Sequence, residues 1–277
     1  MGPTVYDDDT TTNPGERRRL LSYDLWSLAL GFGAGLACGF LNTAASSGSA
    51  VSLPLLMLIG LDPLSANATN RIPVLIGAIS ATMSFHAKNV MPWRLALRVS
   101  GPAMAGSLVG TGLAETIDSR NLGLVITGAV MVALVLLFTK IKKTLESVSV
   151  DDPRWSWGHA AIFFGIGLWL GFIVLDGATY LLMALTLAAG LTLVSANAVK
   201  SAVLVPTTLI AMLVFAYKGD IDWELGAVMG VGSILGGVFG VRVATSPEAR
   251  RYVFGLLVVV ICAELLHLLW HYIFETH

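Results

Sequence analysis

Two cations stand inside long apolar runs, each in a copy of the same short sequence. Ser65-Ala66-Asn67-Ala68-Thr69-Asn70-Arg71 returns 130 positions later as Ser195-Ala196-Asn197-Ala198-Val199-Lys200-Ser201. Charges at such depth are rare and mark function by default. The guanidinium of Arg71 can hold two oxygens of a carboxylate, sulfonate or sulfite at once, whereas Lys200 offers a compact point charge. Asn67, Thr69, Asn70, Asn197 and Ser201 could add neutral hydrogen bonds around the same anion, as could Asn42, Ser46, Ser47 and Ser49 from a polar stretch upstream. Helices beginning at Ser65 and Ser195 would turn positive dipole ends toward it. The chemistry this set suits is substrate-anion binding. The competing reading has both cations snorkelling to lipid headgroups.

Asp176 stands alone among apolar residues in Phe172-Ile173-Val174-Leu175-Asp176-Gly177, at the position 130 residues after Ser46. It could shuttle a coupling proton, since burial raises a carboxyl pKa, or act as a fixed counter-ion for Arg71 or Lys200; the counter-ion role is preferred. Glu264 and His267 are spaced i, i+3 and read as a hydrogen bond near a membrane edge, while His86 and His159 read as interfacial. Cys38 and Cys262 carry no metal spacing and read as packing residues. No Walker loop, nucleophile elbow or metal-ligand cluster occurs, and Gly31, Gly33 and Gly35 follow no strand. The expectation is therefore no enzyme, no metal and no cofactor.

Elements that could position these groups are membrane helices. Of the 277 residues, 55% are hydrophobic and 13% are charged, with a mean hydropathy of +0.77. A soluble domain carries about a quarter charged residues, and runs near the ~20 residues that cross a bilayer recur along the chain. The lipid bilayer is thus a partner, and no basic field points to nucleic acid. A homo-oligomer is left open. Residues 1–23, with Asp7-Asp8-Asp9 and Arg17-Arg18-Arg19, read as a disordered tail that the arginines hold in the cytoplasm. No cleavable signal peptide is expected.

A first transmembrane repeat covers 24–143, a linker 144–155, and a second repeat 156–273. Segment one, about Leu25 to Leu41, has small residues four apart (Gly33 and Ala37, Gly35 and Gly39) that let backbones approach in lipid. The polar stretch from Asn42 to Ser49 then predicts a broken helix or re-entrant tip, because irregular backbone at membrane depth must line protein or a cavity. Ala50 to Gly60 is too short to span. Ser65 is expected to cap a helix over Ala66 to Phe85 that Pro73 kinks. Segments at Leu95–Ala114 and Leu122–Phe138 complete the half. At an offset of 130, Phe85, Lys88, Trp93, Gly106, Gly110 and Arg120 meet Phe215, Lys218, Trp223, Gly236, Gly240 and Arg250. Two related halves with a site between them follow. Counting cations by side favours four spans per half, eight in all, with parallel halves, over the alternative in which every segment crosses, giving five spans per half and inverted halves. That count places Lys88, Arg94, Arg98 and Lys218 inside and Arg242 outside.

The doubled arrangement resembles the TauE/SafE family of bacterial membrane proteins, the sulfite exporters. The resemblance rests on Leu53-Pro54-Leu55-Leu56-Met57-Leu58-Ile59-Gly60-Leu61-Asp62-Pro63 leading to Ala66 and Thr69. It rests also on Lys218-Gly219-Asp220-Ile221-Asp222-Trp223, on Gly232 to Gly240, and on Arg250-Arg251 before a last helix. It covers most of residues 28–270. Where the family has a glycine-rich stretch before Pro-Leu-Leu, this chain has Ala45-Ser46-Ser47-Gly48-Ser49, and the second copy reads Leu175-Asp176-Gly177-Ala178-Thr179. The resemblance implies an all-α integral membrane protein of about eight spans in two halves, in the bacterial cytoplasmic (inner) membrane. It implies a secondary transporter that exports sulfite or an organosulfonate such as sulfoacetate, with an uptake carrier or a channel for another small anion as the alternative.

Overall fold

The computed structural model describes residues 23–117, 155–175 and 177–246. Among them are nine helices and no strand: α1 (Leu25–Ala44), α2 (Ser49–Leu58), α3 (Pro63–Thr69), α4 (Arg71–Ala87), α5 (Trp93–Ala114), α6 (Trp157–Phe172), α7 (Gly177–Leu187), α8 (Leu193–Lys218) and α9 (Trp223–Ala244). Three of them, α1, α8 and α9, are long and apolar enough to cross a bilayer, and α2, α6 and α7 are shorter apolar helices. Large apolar side chains such as Leu36, Met83, Leu97, Leu108, Leu213 and Phe239 face outward. That surface suits lipid rather than water.

Two helix pairs make the frame, and small residues are the reason. A Cβ placed on Gly35 would collide with the carbonyl of Met229, and one on Gly236 with that of Leu36. A Cβ on Gly106 would strike the Phe164 carbonyl, and one on Gly171 that of Ser107. The backbones of α1 and α9 touch, as do those of α5 and α6, which in lipid supplies the packing that hydrophobicity cannot. Both contacts rise together along the sequence, so each pair is parallel. Each of these pairs joins a helix of the first half to one of the second.

The remaining directions follow from shared clusters. Ile72 packs near Ala114, Ala211 and Phe215, whereas Ala81 and Phe85 pack with Ala198 and Val241. Hence α4 runs with α1 and α9, and against α5, α6 and α8. The counterpart pairs α1 and α6, α4 and α8, and α5 and α9 therefore point in opposite directions. This corrects the expectation of parallel halves. The cation count misled because it put Arg242 opposite Lys88. In the fold Lys88 donates to Thr245 at 2.6 Å, so Lys88, Arg94, Arg98 and Arg242 share one face. Lys218 lies on the other face with Tyr23, whose hydroxyl donates to Asp222 at 2.5 Å.

Both breaks are present and buried. Chain direction changes at Ala45–Gly48, where Ser46 adopts φ 66°, and again after Phe172, where Ile173 is extended. The helix ends Ala44 and Phe172 are 128 apart, not 130, so Val174 rather than Asp176 corresponds to Ser46. Asp176 itself lies outside the described residues, as do Glu264, His267, Cys262 and the segment at 122–138. The first break meets the start of α7, since Thr179 Oγ1 donates to the Ser46 carbonyl at 2.9 Å.

Helix starts also differ from expectation. Asp62 caps α3 by accepting from the amides of Leu64 and Ser65, and Thr192 caps α8 by accepting from Ser195. The helices thus begin a turn before Ser65 and Ser195, so their positive ends lie at the faces. Pro73 breaks the ladder on its N-terminal side, because its ring excludes the carbonyl four residues back, that of Thr69. Asn70 stays right-handed between α3 and α4, which makes a kink without a reversal. Nothing comparable interrupts α8 at Lys200.

Candidate functional site

Arg71 and Lys200 are 1% and 0% exposed, among the largest side chains the fold buries completely. At 1.5 Å per residue, Arg71 lies ~12 Å along the kinked α3–α4 path from Pro63, and Lys200 ~10 Å along α8 from Leu193. The two cations enter from opposite faces, and each reaches into the other half.

Arg71 closes the C-terminal end of α6. Its Nη1 donates to the Leu170 carbonyl and Nη2 donates to Gly171 O at 2.8 Å and Asn67 Oδ1 at 3.4 Å. Asn67 extends the cover: Nδ2 donates to Phe172 O at 3.1 Å, and Oδ1 accepts from the Val174 amide at 3.1 Å. Thr111 Oγ1 donates to Gly171 O at 3.2 Å. The guanidinium stands 5.5 Å from the Phe215 ring centroid, within cation–π range. The last carbonyls of a helix carry its negative end and have no partners within it. Here they are satisfied from the first half.

Lys200 does the same for α1. Its ammonium donates to the Asn42 carbonyl at 2.7 Å, to Ser46 Oγ at 2.7 Å and to Asn197 Oδ1 at 2.8 Å. Asn42 and Leu170 are 128 residues apart, the same offset as the two helix ends, so the two clasps are counterparts. The sequence reading had helix N-termini meeting an anion at this depth. The structure brings helix C-termini to the cations instead, with the opposite dipole sign.

The other expected ligands divide. Asn67 and Asn197 flank the cations, and Asn42 contributes through its backbone carbonyl. Ser46 holds Lys200 by its side chain from a left-handed backbone. Ser47 Oγ turns back to Ala45 O at 3.4 Å, and Ser49 is buried at the start of α2. Ser201 Oγ donates to Asn197 O within its own helix. Thr69 is drawn away, because its Oγ1 accepts from the Asp222 amide at 2.9 Å and ties α3 to the start of α9. Asn70 Oδ1 accepts from Ser52 Oγ at 2.7 Å and lies 4.0 Å from Cys38 Sγ. Asn70 Nδ2 and Arg71 Nε are buried with no hydrogen-bond partner among the described residues.

Thr111, Ser52 and Thr179 escaped the sequence reading; hydroxyls spaced along apolar helices give no local sign of which one meets a helix end. His86 accepts from Trp93 Nε1 at 3.2 Å, and His159 forms a capping box with Ser156. Groups of three or more metal-ligating side chains do not occur among the described residues.

The arrangement holds two charges in a buried joint where the broken helices meet. Comparison with known proteins gives that joint a context. The family model described as "Sulfite exporter TauE/SafE" matches residues 31–265. A probable membrane transporter protein, ORF9, of Sinorhizobium sp is 25% identical over 243 residues, covering 87% of this chain and 92% of that protein. The probable membrane transporter protein YfcA of Escherichia coli K12 is 26% identical, covering 83% and 84%. One from Xylella fastidiosa 9a5c is 27% identical, covering 88% and 97%. No solved structure matches the chain significantly. With a family match that takes in the frame, both breaks and both buried cations, the chain belongs to the TauE/SafE sulfite exporter family and is a multi-pass membrane transporter.

Proposed function

We propose that the chain is a secondary transporter of the bacterial cytoplasmic membrane. It carries a small oxyanion outward, sulfite or a two-carbon organosulfonate such as sulfoacetate, by alternating access between two inverted repeats. The observation that carries this reading is the pair of fully buried cations, one from each half, that clasp the broken helix of the opposite half. A buried cation needs a partner in every state, since an uncompensated one costs several kcal/mol. Rocking the halves apart separates a cation from its carbonyls, and a substrate oxyanion replaces them. The empty carrier and the loaded carrier are then both satisfied, while a half-open empty one is not. Such a scheme moves anions without a permanent leak.

Export needs no coupling ion in this account. A cell interior that is negative drives an anion outward by about 2.3 kcal/mol per charge per 100 mV. Asp176 then keeps the role of a fixed counter-ion. The family's printed description, a sulfite exporter, supports the substrate class. Sulfite flux from proteoliposomes tests it: wild type should saturate with substrate and respond to an imposed potential, and Arg71→Ala should lose the saturable part. Flux linear in concentration would favour a channel. Saturable flux of acetate but not of sulfite would move the substrate to another small anion.

A further inference from the structure

The two clasps differ in how many donors they leave over. A lysine ammonium has three N–H groups, and Lys200 uses all three on Asn42 O, Ser46 Oγ and Asn197 Oδ1. Arg71 has five, and its terminal nitrogens are engaged with Leu170, Gly171 and Asn67, but Nε–H has no acceptor among the described residues. The next residue adds to the surplus. Asn70 is 0% exposed, and its Nδ2 carries two further N–H groups with no partner. Buried donors without partners are rare in native proteins, and each left unmet is destabilising. Two on consecutive residues, at the one kink in this helix, call for a missing acceptor.

We propose that the transported oxyanion is bound at one cation only, accepting from Arg71 Nε and Asn70 Nδ2, while Lys200 is a fixed clasp and not a ligand. This rests on the oxyanion-transport reading and deepens it. The surplus groups are donors alone, so the ligand must bring acceptors. An oxyanion presents several oxygens on one centre and can accept from both residues together. Ser52 is a positioning residue: its hydroxyl fixes Asn70 Oδ1 at 2.7 Å and so turns Nδ2 away from itself. In unbroken α8 the corresponding residues, Lys200 and Ser201, are consumed by the clasp and by a bond back to Asn197 O.

Calorimetric titration of methanesulfonate into purified protein in detergent tests the assignment, with chloride as the spherical comparison. Wild type should bind methanesulfonate in preference to chloride. Asn70→Ala should raise the Kd about 10-fold or more, the size expected for one charge-assisted or buried hydrogen bond. Asn70→Asp, the same shape with Nδ2 replaced by an oxygen, should abolish binding. Ser52→Ala should weaken binding several-fold with no loss in melting temperature beyond that of one buried hydrogen bond. If the Asn70 variants fail to fold, Ser52→Ala carries the test, and an unchanged Kd there overturns the proposal. Wild-type affinity retained in both Asn70 variants also overturns it, and leaves the transport reading standing. Chloride binding as tightly as methanesulfonate would overturn the oxyanion assignment. A folded wild type that binds neither methanesulfonate nor sulfite would remove the transport reading as well.

Discussion

The end of α1 and the end of α6 are two solutions to one problem. Each helix ends at a buried break with open carbonyls and is met by a cation from the opposite half; at α6 an asparagine donates as well, whereas at α1 the asparagine only supports the cation. At α1, three donors meet three acceptors and nothing is left over. At α6, a flat guanidinium spans two carbonyls and an amide oxygen, and donors remain. The difference traces to Pro73 and to arginine standing where the related helix has a lysine one position away. A clasp that is saturated holds a joint. A clasp with spare donors can hold the joint and a ligand in turn.

The largest effect expected from breaking this comparison is at the saturated end. Lys200→Met leaves the Asn42 carbonyl, Ser46 Oγ and Asn197 Oδ1 without their donor, at about 1–3 kcal/mol for each group left buried and unmet. Its melting temperature should fall furthest of all the variants here. Arg71→Lys keeps the charge but has too few donors for both tasks. Sulfite flux should drop about 10- to 100-fold, more than its stability falls. Equal stability losses with unchanged flux would show the two ends to be alike.

A smaller effect comes from the helix contacts that set both ends. Gly171→Ala places a methyl against the Ser107 backbone at the residue whose carbonyl Arg71 clasps, and should destabilise by about 1–3 kcal/mol. Gly33→Ala, where no atom stands within 4 Å of the added carbon, is the neutral control in the same melting assay.

The smallest effect lies at the membrane face. Glu115, which follows α5, has its carboxyl pushed up by burial and then by the facing Asp220 carboxylate, with Lys218 pulling it back. A raised carboxyl pKa gives stability that is complete below the ordinary carboxylate range and is lost as pH rises through the folded value. Melting of wild type should therefore decline modestly on going from acid toward neutral pH, and Glu115→Gln should flatten that decline. A profile unchanged by the substitution would show that Glu115 does not set that decline. At the related place on the other face, Lys88 and Thr245 make a bond with no carboxylate in it, so Thr245→Ala should leave the same profile alone.

Much of this was legible in the residues themselves. A charge inside an apolar run is conspicuous, so Arg71 and Lys200 stand out without any structure. The repeat pointed to two related regions, the run from Asn42 to Ser49 to a break, and the glycines of α1, α5 and α9 to close packing. What stayed hidden is what passes between the halves. Periodicity cannot show that Arg71 reaches Leu170 or that α1 lies along α9, because those contacts join residues about 100 and 200 positions apart. Helix starts were misplaced for a local reason: Asp62 and Thr192 are as good caps as Ser65 and Ser195. Thr69 looked like a ligand because it sits two residues from Arg71, yet helical geometry turns it toward the start of α9. The direction of the halves failed because it rested on counting cations whose sides were unknown.

The central claim is that the anion meets Arg71 and not Lys200. It is tested most directly by the thermal shift that saturating sulfite gives wild type, Arg71→Lys and Lys200→Arg, side by side. Ligand at 100 times its Kd should stabilise a binding protein by about 2.7 kcal/mol. The account predicts a shift in wild type, none in Arg71→Lys, and a shift retained in Lys200→Arg from a lower starting melting temperature. A shift that survives in Arg71→Lys and disappears in Lys200→Arg would contradict it.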